Sequence, residues 1–446
     1  MTPIARQPRF PAFRLPALAT ALALALALAA AGRPARAELQ IDITQGVSDP
    51  VPIAIVPYSG PVGSPDVAAV VQRDLEASGR FRVMPRAQMR SLPDRAQQVA
   101  AADWKAAGQD YVAVGRISPT TAGNAVLDID LVNALTGQSL GSYRVSFSLA
   151  SPRGAAHRAS DFIFAKIVGT RGAFATRIAY VAVDGDPPAQ HFQLVVADSD
   201  GENPQVVLDS RQPIMSPAWS ADGQWLAYVS FENHVAGVVV QELRTGARSM
   251  VSARAGVNGA PAFSPDGKRL ALTLSGSGGN LDIYVLDLAT QALTRITDDP
   301  AIDTEPAWSA DGRQLYFTSD RSGGPQVYRA DVDAPQRVQR LTFGSSYNAR
   351  PRLSPDGRQL ACVTREGADY RIAVQDLAGG GVRVLTHGSL DEAPAWSPNG
   401  LGLIYAGRQG GRGVLATVSV DGLVSQRLKS ERGEVREPVW GPFIGP

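Results

Sequence analysis

Side chains that commonly do chemistry are sparse in this chain and not grouped. The four histidines, His157, His191, His234 and His387, share no spacing that would bring two onto one metal ion. There is no Gly-x-Ser-x-Gly nucleophile elbow. There is no Gly-x-x-x-x-Gly-Lys-Ser/Thr loop either, and Gly267-Lys268 belongs to a hairpin turn. Gly276-Ser-Gly-Gly279 falls between strand-like segments rather than ahead of a helix, so it makes no phosphate cradle. The single cysteine, Cys362, excludes an intramolecular disulfide and argues against a cysteine zinc site. Asp222, Asp266, Asp311 and Asp356 recur like an acidic ring, but each precedes a glycine in a turn dipeptide and reads as structural. The expectation is no enzyme, no cofactor and no resident metal.

What remains is binding chemistry in loops, and a repeat positions those loops. Pro-x-(Trp/Phe/Leu)-Ser-x-(Asp/Asn)-Gly begins at Pro217, Pro261, Pro306, Pro351 and Pro394, with a truncated copy at Pro438. The successive spacings are 44, 45, 45, 43 and 44 residues, which is the period of a propeller blade of four short strands. The strand Ile178–Val183 has no first strand before it, and Pro438-Val-Trp440 has no second strand after it. Pairing the two closes the ring and removes two exposed edges. The expected fold is an α/β N-terminal domain followed by an all-β six-bladed β-propeller, closed by pairing of the C-terminal strand with the first blade.

Three segments follow from this reading: a cleaved signal peptide over 1–37, an α/β domain over 38–170 and the propeller over 177–446. Arg6, Arg9 and Arg14 precede a 17-residue Ala/Leu run, Leu15–Ala31, and Ala35-Arg36-Ala37 offers a cleavage site between Ala37 and Glu38. The run falls short of the ~20 apolar residues of a membrane span. Cleavage removes five of the 43 basic residues and none of the 42 acids, leaving a net charge of −4 and no basic footprint for nucleic acid. In the α/β domain, helices are expected from Pro65 to Ser78, Asp94 to Ala107 and Gly154 to Val168.

The loops entering each first strand gather on one face. They carry Val257, Asn258, Ala260, Thr304, Glu305, Tyr347, Asn348, Asp391 and Glu392, rich in acids and amides, and read as a polypeptide-docking surface. The second binding feature is the new N-terminus, Glu38, Leu39, Gln40, Ile41, Asp42, Ile43 and Thr44, with apolar residues at alternate positions. Held within the chain, it would be an edge strand of the α/β domain. Released past the break at Gly46–Pro50, it could add to another protein's sheet.

Several runs are more specific than the repeat itself: Asn258-Gly-Ala-Pro-Ala-Phe-Ser-Pro-Asp-Gly267, Asn280-Leu-Asp-Ile-Tyr-Val-Leu-Asp-Leu288, Thr304-Glu-Pro-Ala-Trp308 and Thr318-Ser-Asp-Arg-Ser-Gly-Gly-Pro-Gln-Val-Tyr328. With the leader and the Glu-x-x-Ile-x-Ile start, the chain from Glu38 to Pro446 resembles the TolB family of the Tol-Pal system of Gram-negative bacteria. The resemblance implies a monomeric, non-enzymatic periplasmic adaptor that supports outer-membrane integrity and invagination at division. It implies that the lipoprotein Pal docks at Asn258, Ala260, Thr304 and Glu305, and that Glu38–Thr44 binds TolA. Val257 stands where the family often carries His. Two other readings stay open: an exported propeller hydrolase or lyase, and a small-ligand binder using the channel, with a divalent cation near Asp303, Glu305 and Asp391.

Overall fold

The computed structural model describes residues 41–42, 49–61, 65–121, 123–276, 278–430 and 433–445. The leader, the Ala37–Glu38 bond and residues 38–40, 43 and 44 of the alternating segment lie outside the described residues.

The N-terminal part is a five-stranded sheet in the order Phe81–Val83, Val51–Ile55, Tyr111–Pro119, Asn124–Asn133, Ser139–Ser148. The first three strands are parallel and the last two pairings antiparallel. Helix α1 (Val67–Ala77) starts where Asp66 caps the amides of Ala68 and Ala69. Helix α2 is short (Ala101–Ala106), and α3 (Arg153–Val168) stops at Gly169, whose φ of 85° suits a residue without a Cβ. Helices α1 and α3 bury Val70, Val71, Leu75, Ile163 and Phe164 against Ile53, Ile55, Leu127 and Ile129 of the sheet.

The helix expected from Asp94 to Ala107 is mostly absent. Ala96–Gln98 is a single 3₁₀ turn and only Ala101–Ala106 is helical. Side chains claim this backbone instead: Asp130 of the sheet accepts from the amide of Ala96, and Gln98 accepts from that of Asp94. The strand's demand for partners outweighs a moderate helical propensity.

Six antiparallel sheets follow, five of four strands and a sixth to which Ile41–Asp42 adds a fifth strand. Blade 1 contains Arg177–Asp184, His191–Asp198 and Gln205–Ser210, and its innermost strand is Glu434–Trp440 from the far end of the chain. Trp440 lies opposite Ile178, and Glu434 opposite Val183. The closure is the one the unpaired half-blades require. Blades 2 to 6 begin with Ile214–Trp219, Asn258–Phe263, Asp303–Trp308, Asn348–Leu353 and Glu392–Trp396. The repeat aromatic plugs the joint between neighbours. Trp308 is buried, its indole N–H donates to the Ala262 carbonyl of the preceding blade at 3.0 Å, and the Arg269 guanidinium lies 4.7 Å from its ring. Trp396 repeats the bond to Arg352.

The repeated aspartates serve their own turns. Ser264 Oγ and the amide of Lys268 both donate to Asp266, and Ser309 and Ser354 do the same for Asp311 and Asp356. The serine hydroxyl hydrogen bond, more than any other influence, holds all three carboxyls below the usual aspartate range.

Ile41 and Asp42 pair antiparallel with Gln426 and Ser425, the outer strand of blade 6. This corrects the expectation of an edge strand on the α/β sheet. That sheet ends at Phe81–Val83 and Ser139–Ser148, while blade 6 leaves an open outer edge at Ser425–Arg427.

Candidate functional site

Successive hairpin turns of a blade alternate between the two faces of the ring. The α/β part sits on the face of the Asp-Gly turns. Arg80 reaches Asp421 at 3.5 Å, Asn399 donates to the carbonyl of Arg171, and Arg153 binds Asp198 and Asp200. The opposite face, which carries the loops into the first strands, is free of these contacts and holds the expected docking residues.

Each first strand is interrupted at the residue before the repeat proline: Ser216, Ala260, Glu305, Arg350, Ala393 and Glu437. All six have φ between 45° and 58°, and each sits at a break in strand register. This is a left-handed bulge at non-glycine residues, a conformation that persists only where surrounding structure enforces it. It turns these six positions toward the axis, where they line a cavity of about 40 Å³, room for little more than a water molecule.

Charges close this hub. Arg350 Nε donates to Glu305 at 2.8 Å and its Nη2 to Glu437 at 3.1 Å, joining the first strands of blades 4, 5 and 1. The amide of Arg350 donates to Glu305 at 3.0 Å, and that of Ser216 donates to Glu437. Burial opposes the Arg350 charge, yet Glu305 and Glu437 outweigh it and keep the guanidinium firmly protonated. Arg352 also enters the cavity, and its Nη1 donates to the Pro351 carbonyl.

The third residue before each proline points into the blade. In order these are Ile214, Asn258, Asp303, Asn348, Asp391 and Val435, all buried to at least 96%. Asn258, Asn348 and Asp391, expected on the docking surface, are therefore buried and hold structural bonds. Asn258 accepts from Ser252 Oγ at 2.6 Å and from the amide of Arg254, and donates to the Arg254 carbonyl, pinning the incoming loop. Asp303 holds both carboxylate oxygens on Arg321 at 2.8 and 3.0 Å. Asn348 donates to Gln326, and Asp391 accepts from the amide of Gly388. Burial pushes the Asp391 carboxyl up, against the hydrogen bond from Thr386. Asp303, Glu305 and Asp391, the candidate cation ligands, thus serve different partners and are not brought together. Glu305 belongs to the hub rather than to an open loop.

The fourth residue before the proline is Pro213, Val257, Ile302, Tyr347, Leu390 or Glu434, of which Val257 and Ile302 are exposed and the other four half-buried. Five of the six are apolar. Val257 and Ile302 are 42% and 47% exposed, and Tyr347 packs edge-on against Tyr370 with ring centroids 5.1 Å apart. Thr304 and Glu392 are half-buried beside this crest, and Ala260 lines the hub. Between blades 2 and 3 the face opens into a cavity of about 530 Å³ lined by Met215, Phe231, Val235, Val257 and Arg254. Of this crest the sequence reading picked out Val257 and Tyr347 but not the apolar column to which they belong. Aligning the repeats on their prolines would have shown an apolar column directly beside a polar one, the alternation of a strand with one face inward.

Among the described residues, one group could bring three metal-binding side chains together: Asp74, His157 and Asp200. Cationic protein groups already fill it. Arg153 lies 2.5 Å from Asp200, and His157 Nδ1 lies 2.8 Å from Asp74.

Comparison with known proteins agrees with this architecture. Residues 164–444 match the TolB beta propeller domain, and residues 39–140 match the TolB amino-terminal domain. The Tol-Pal system protein TolB of Methylococcus capsulatus is 54% identical over 407 residues, covering 91% of this chain and 95% of that protein. The TolB of Thioalkalivibrio sulfidiphilus is 52% identical, covering 92% and 95%. The crystal structure of TolB from Acinetobacter baumannii superposes with a TM-score of 0.84 at 42% identity, covering 91% of this chain and 100% of that one. The chain belongs to the TolB family, the periplasmic, non-enzymatic adaptors of the Tol-Pal system.

Proposed function

We propose that the propeller face bearing Val257, Thr304, Tyr347 and Glu392 docks the lipoprotein Pal, and that the segment Glu38–Thr44 engages TolA. The adaptor then ties an outer-membrane partner to an inner-membrane one. The observation that carries the reading is the outward apolar crest beside the 530 Å³ cavity, on the face opposite the α/β part. Exposed apolar groups clustered on a rigid platform are what a protein interface uses for its central contacts. For the second partner, the support is the pairing of Ile41 and Asp42 with an open blade edge. An extended segment that adds to one sheet edge can add to another.

Titration calorimetry with purified Pal and TolA domains tests both halves. Val257→Asp should weaken Pal binding at least tenfold without moving the melting temperature, since the side chain is exposed. Removing residues 38–44 should abolish TolA binding and leave the ring folded. Unchanged Pal affinity in Val257→Asp places docking elsewhere.

A further inference from the structure

The second strands of the six blades begin with Arg177, Trp225, Arg269, Gln314, Gln359 and Gly402. Where that residue is arginine, it closes the joint to the next blade in one way. The Arg177 guanidinium lies 5.3 Å from the ring of Trp219, the plug of blade 2, and its Nη2 donates to the Gly223 carbonyl at 3.1 Å. The Arg269 guanidinium lies 4.7 Å from the ring of Trp308 in blade 4, and its Nη2 donates to the Gly312 carbonyl at 3.3 Å. An aromatic face and a carbonyl beside it suit the charge and the donors of a guanidinium together. The two turn glycines are covered as well. Pro442 stands 3.3 Å from where a Cβ of Gly223 would lie, and Pro265 stands 3.5 Å from that of Gly312.

The joint between blades 2 and 3 has the parts of this arrangement without its arginine. The plug is aromatic, Phe263, and half-buried, and the strand start is Trp225, 36% exposed. Gly267, the turn glycine, has nothing within 4 Å of its Cβ position. The joint opens into a cavity of about 580 Å³, where Val240, Val251 and Leu288 join Trp225 and Phe263. Asp222 and Asp266 line it too, and no basic residue does; Lys268, next in the turn, stays out of it. The α/β part meets this face at blades 1 and 6 and contributes nothing to the lining. Elsewhere the combination is missing. The plug of blade 5 is Leu353, Gly400 beside Trp396 is covered by Pro355, and no Asp-Gly turn follows Trp440.

We propose that the slot between blades 2 and 3 docks an arginine of a partner polypeptide, flanked by apolar residues, in the place that Arg177 and Arg269 take at the joints on either side. The incoming guanidinium stacks on Phe263 and Trp225, donates to the Gly267 carbonyl and faces Asp222 and Asp266. Its apolar neighbours meet Val240, Val251 and Leu288. Exposed apolar side chains gathered in a groove with charge at its edge mark an interaction site, and Trp and Arg are the residues that most often dominate such contacts. A lysine would bring the charge without the planar fork that the stack uses. The slot lies on the face opposite the surface proposed for Pal, so one partner does not exclude the other.

The assay contains neither Pal nor TolA, so its outcome is independent of the docking proposal. Two fluorescein-labelled peptides serve as probes: Gly-Ser-Leu-Arg-Leu-Ser-Gly, and the same peptide with citrulline, which keeps the shape of arginine and loses its charge. Fluorescence polarisation with the purified chain should show saturable binding of the arginine peptide and affinity about tenfold lower for the citrulline one. Trp225→Arg builds in the side chain found at 177 and 269. It should hold or raise the melting temperature and weaken the arginine peptide about tenfold. Asp222→Asn combined with Asp266→Asn should weaken it about fivefold with the turns intact, since Asn399 accepts the same two bonds in its own turn. Absence of saturable binding overturns the proposal. So does equal affinity for the two peptides, which would mark a general apolar groove, and so does undiminished binding to Trp225→Arg. If Trp225→Arg fails to fold, the peptide pair and the double asparagine variant decide the matter between them.

Discussion

Arg350 of blade 5 donates through Nε to Glu305 of the neighbouring blade 4 at 2.8 Å, beside the axis of the ring. Both residues occupy the left-handed bulge before a repeat proline, at φ of 56° and 58°. The pair is a spoke of the hub, and its loss should be felt as stability. Glu305→Arg places a third guanidinium beside Arg350 and Arg352. It should cost about 2–4 kcal/mol, the range for leaving an enclosed charge without its partner. Urea unfolding checks this. If Glu305→Arg lowers Pal affinity, the loss should shrink when affinity is compared at equal folded fraction.

Asn258 offers a second contrast with its exposed neighbour Val257. Asn258→Ala strands the amide of Arg254 and the hydroxyl of Ser252, so it should destabilise by about 1–3 kcal/mol, as for other buried groups left unpaired. Thermal melts of Asn258→Ala beside Val257→Asp would separate the two positions. The buried one should lose stability and the exposed one should not.

Trp308→Ala removes the plug between blades 3 and 4, the bond to the Ala262 carbonyl and the ring under Arg269. The expected cost is about 3–5 kcal/mol. Trp308→Phe keeps much of the volume and should cost roughly 1–2 kcal/mol, mostly for the orphaned carbonyl. Equilibrium denaturation of both variants gives the difference.

Cys362 is buried in blade 5, and burial pushes its thiol up to about 12. At pH 8 the native protein should be inert to an aromatic disulfide reagent, whereas urea-unfolded chain should react at the rate of a free cysteine. The labelling rate in dilute denaturant then measures the opening of blade 5. Fast native-state labelling would contradict the burial.

The ring was legible because its signal is periodic. The prolines at 217, 261, 306, 351, 394 and 438 count the blades, and the two half-blades identify the closure at Trp440 and Ile178. The docking residues were less so. Asn258, Asp303, Asn348 and Asp391 have the composition of wet loop, yet each lies one residue inside the outward crest. A single step of strand register exchanges inside for outside. The bulge gave no warning, since Ser, Ala, Glu and Arg do not announce a positive φ, and the residue before proline is usually extended. The cluster of Arg153 and His157 on α3 was equally silent, because its partners Asp74, Asp198 and Asp200 are up to 83 residues from His157 or Arg153 in sequence.

The innermost ribbon of blade 1, Glu434–Trp440, is made some 250 residues after its neighbour Arg177–Asp184. No ring can therefore seal before Glu434–Trp440 has been made. Until that ribbon arrives, Arg177–Asp184 keeps an unpaired inner edge and the circle stays open at blade 1.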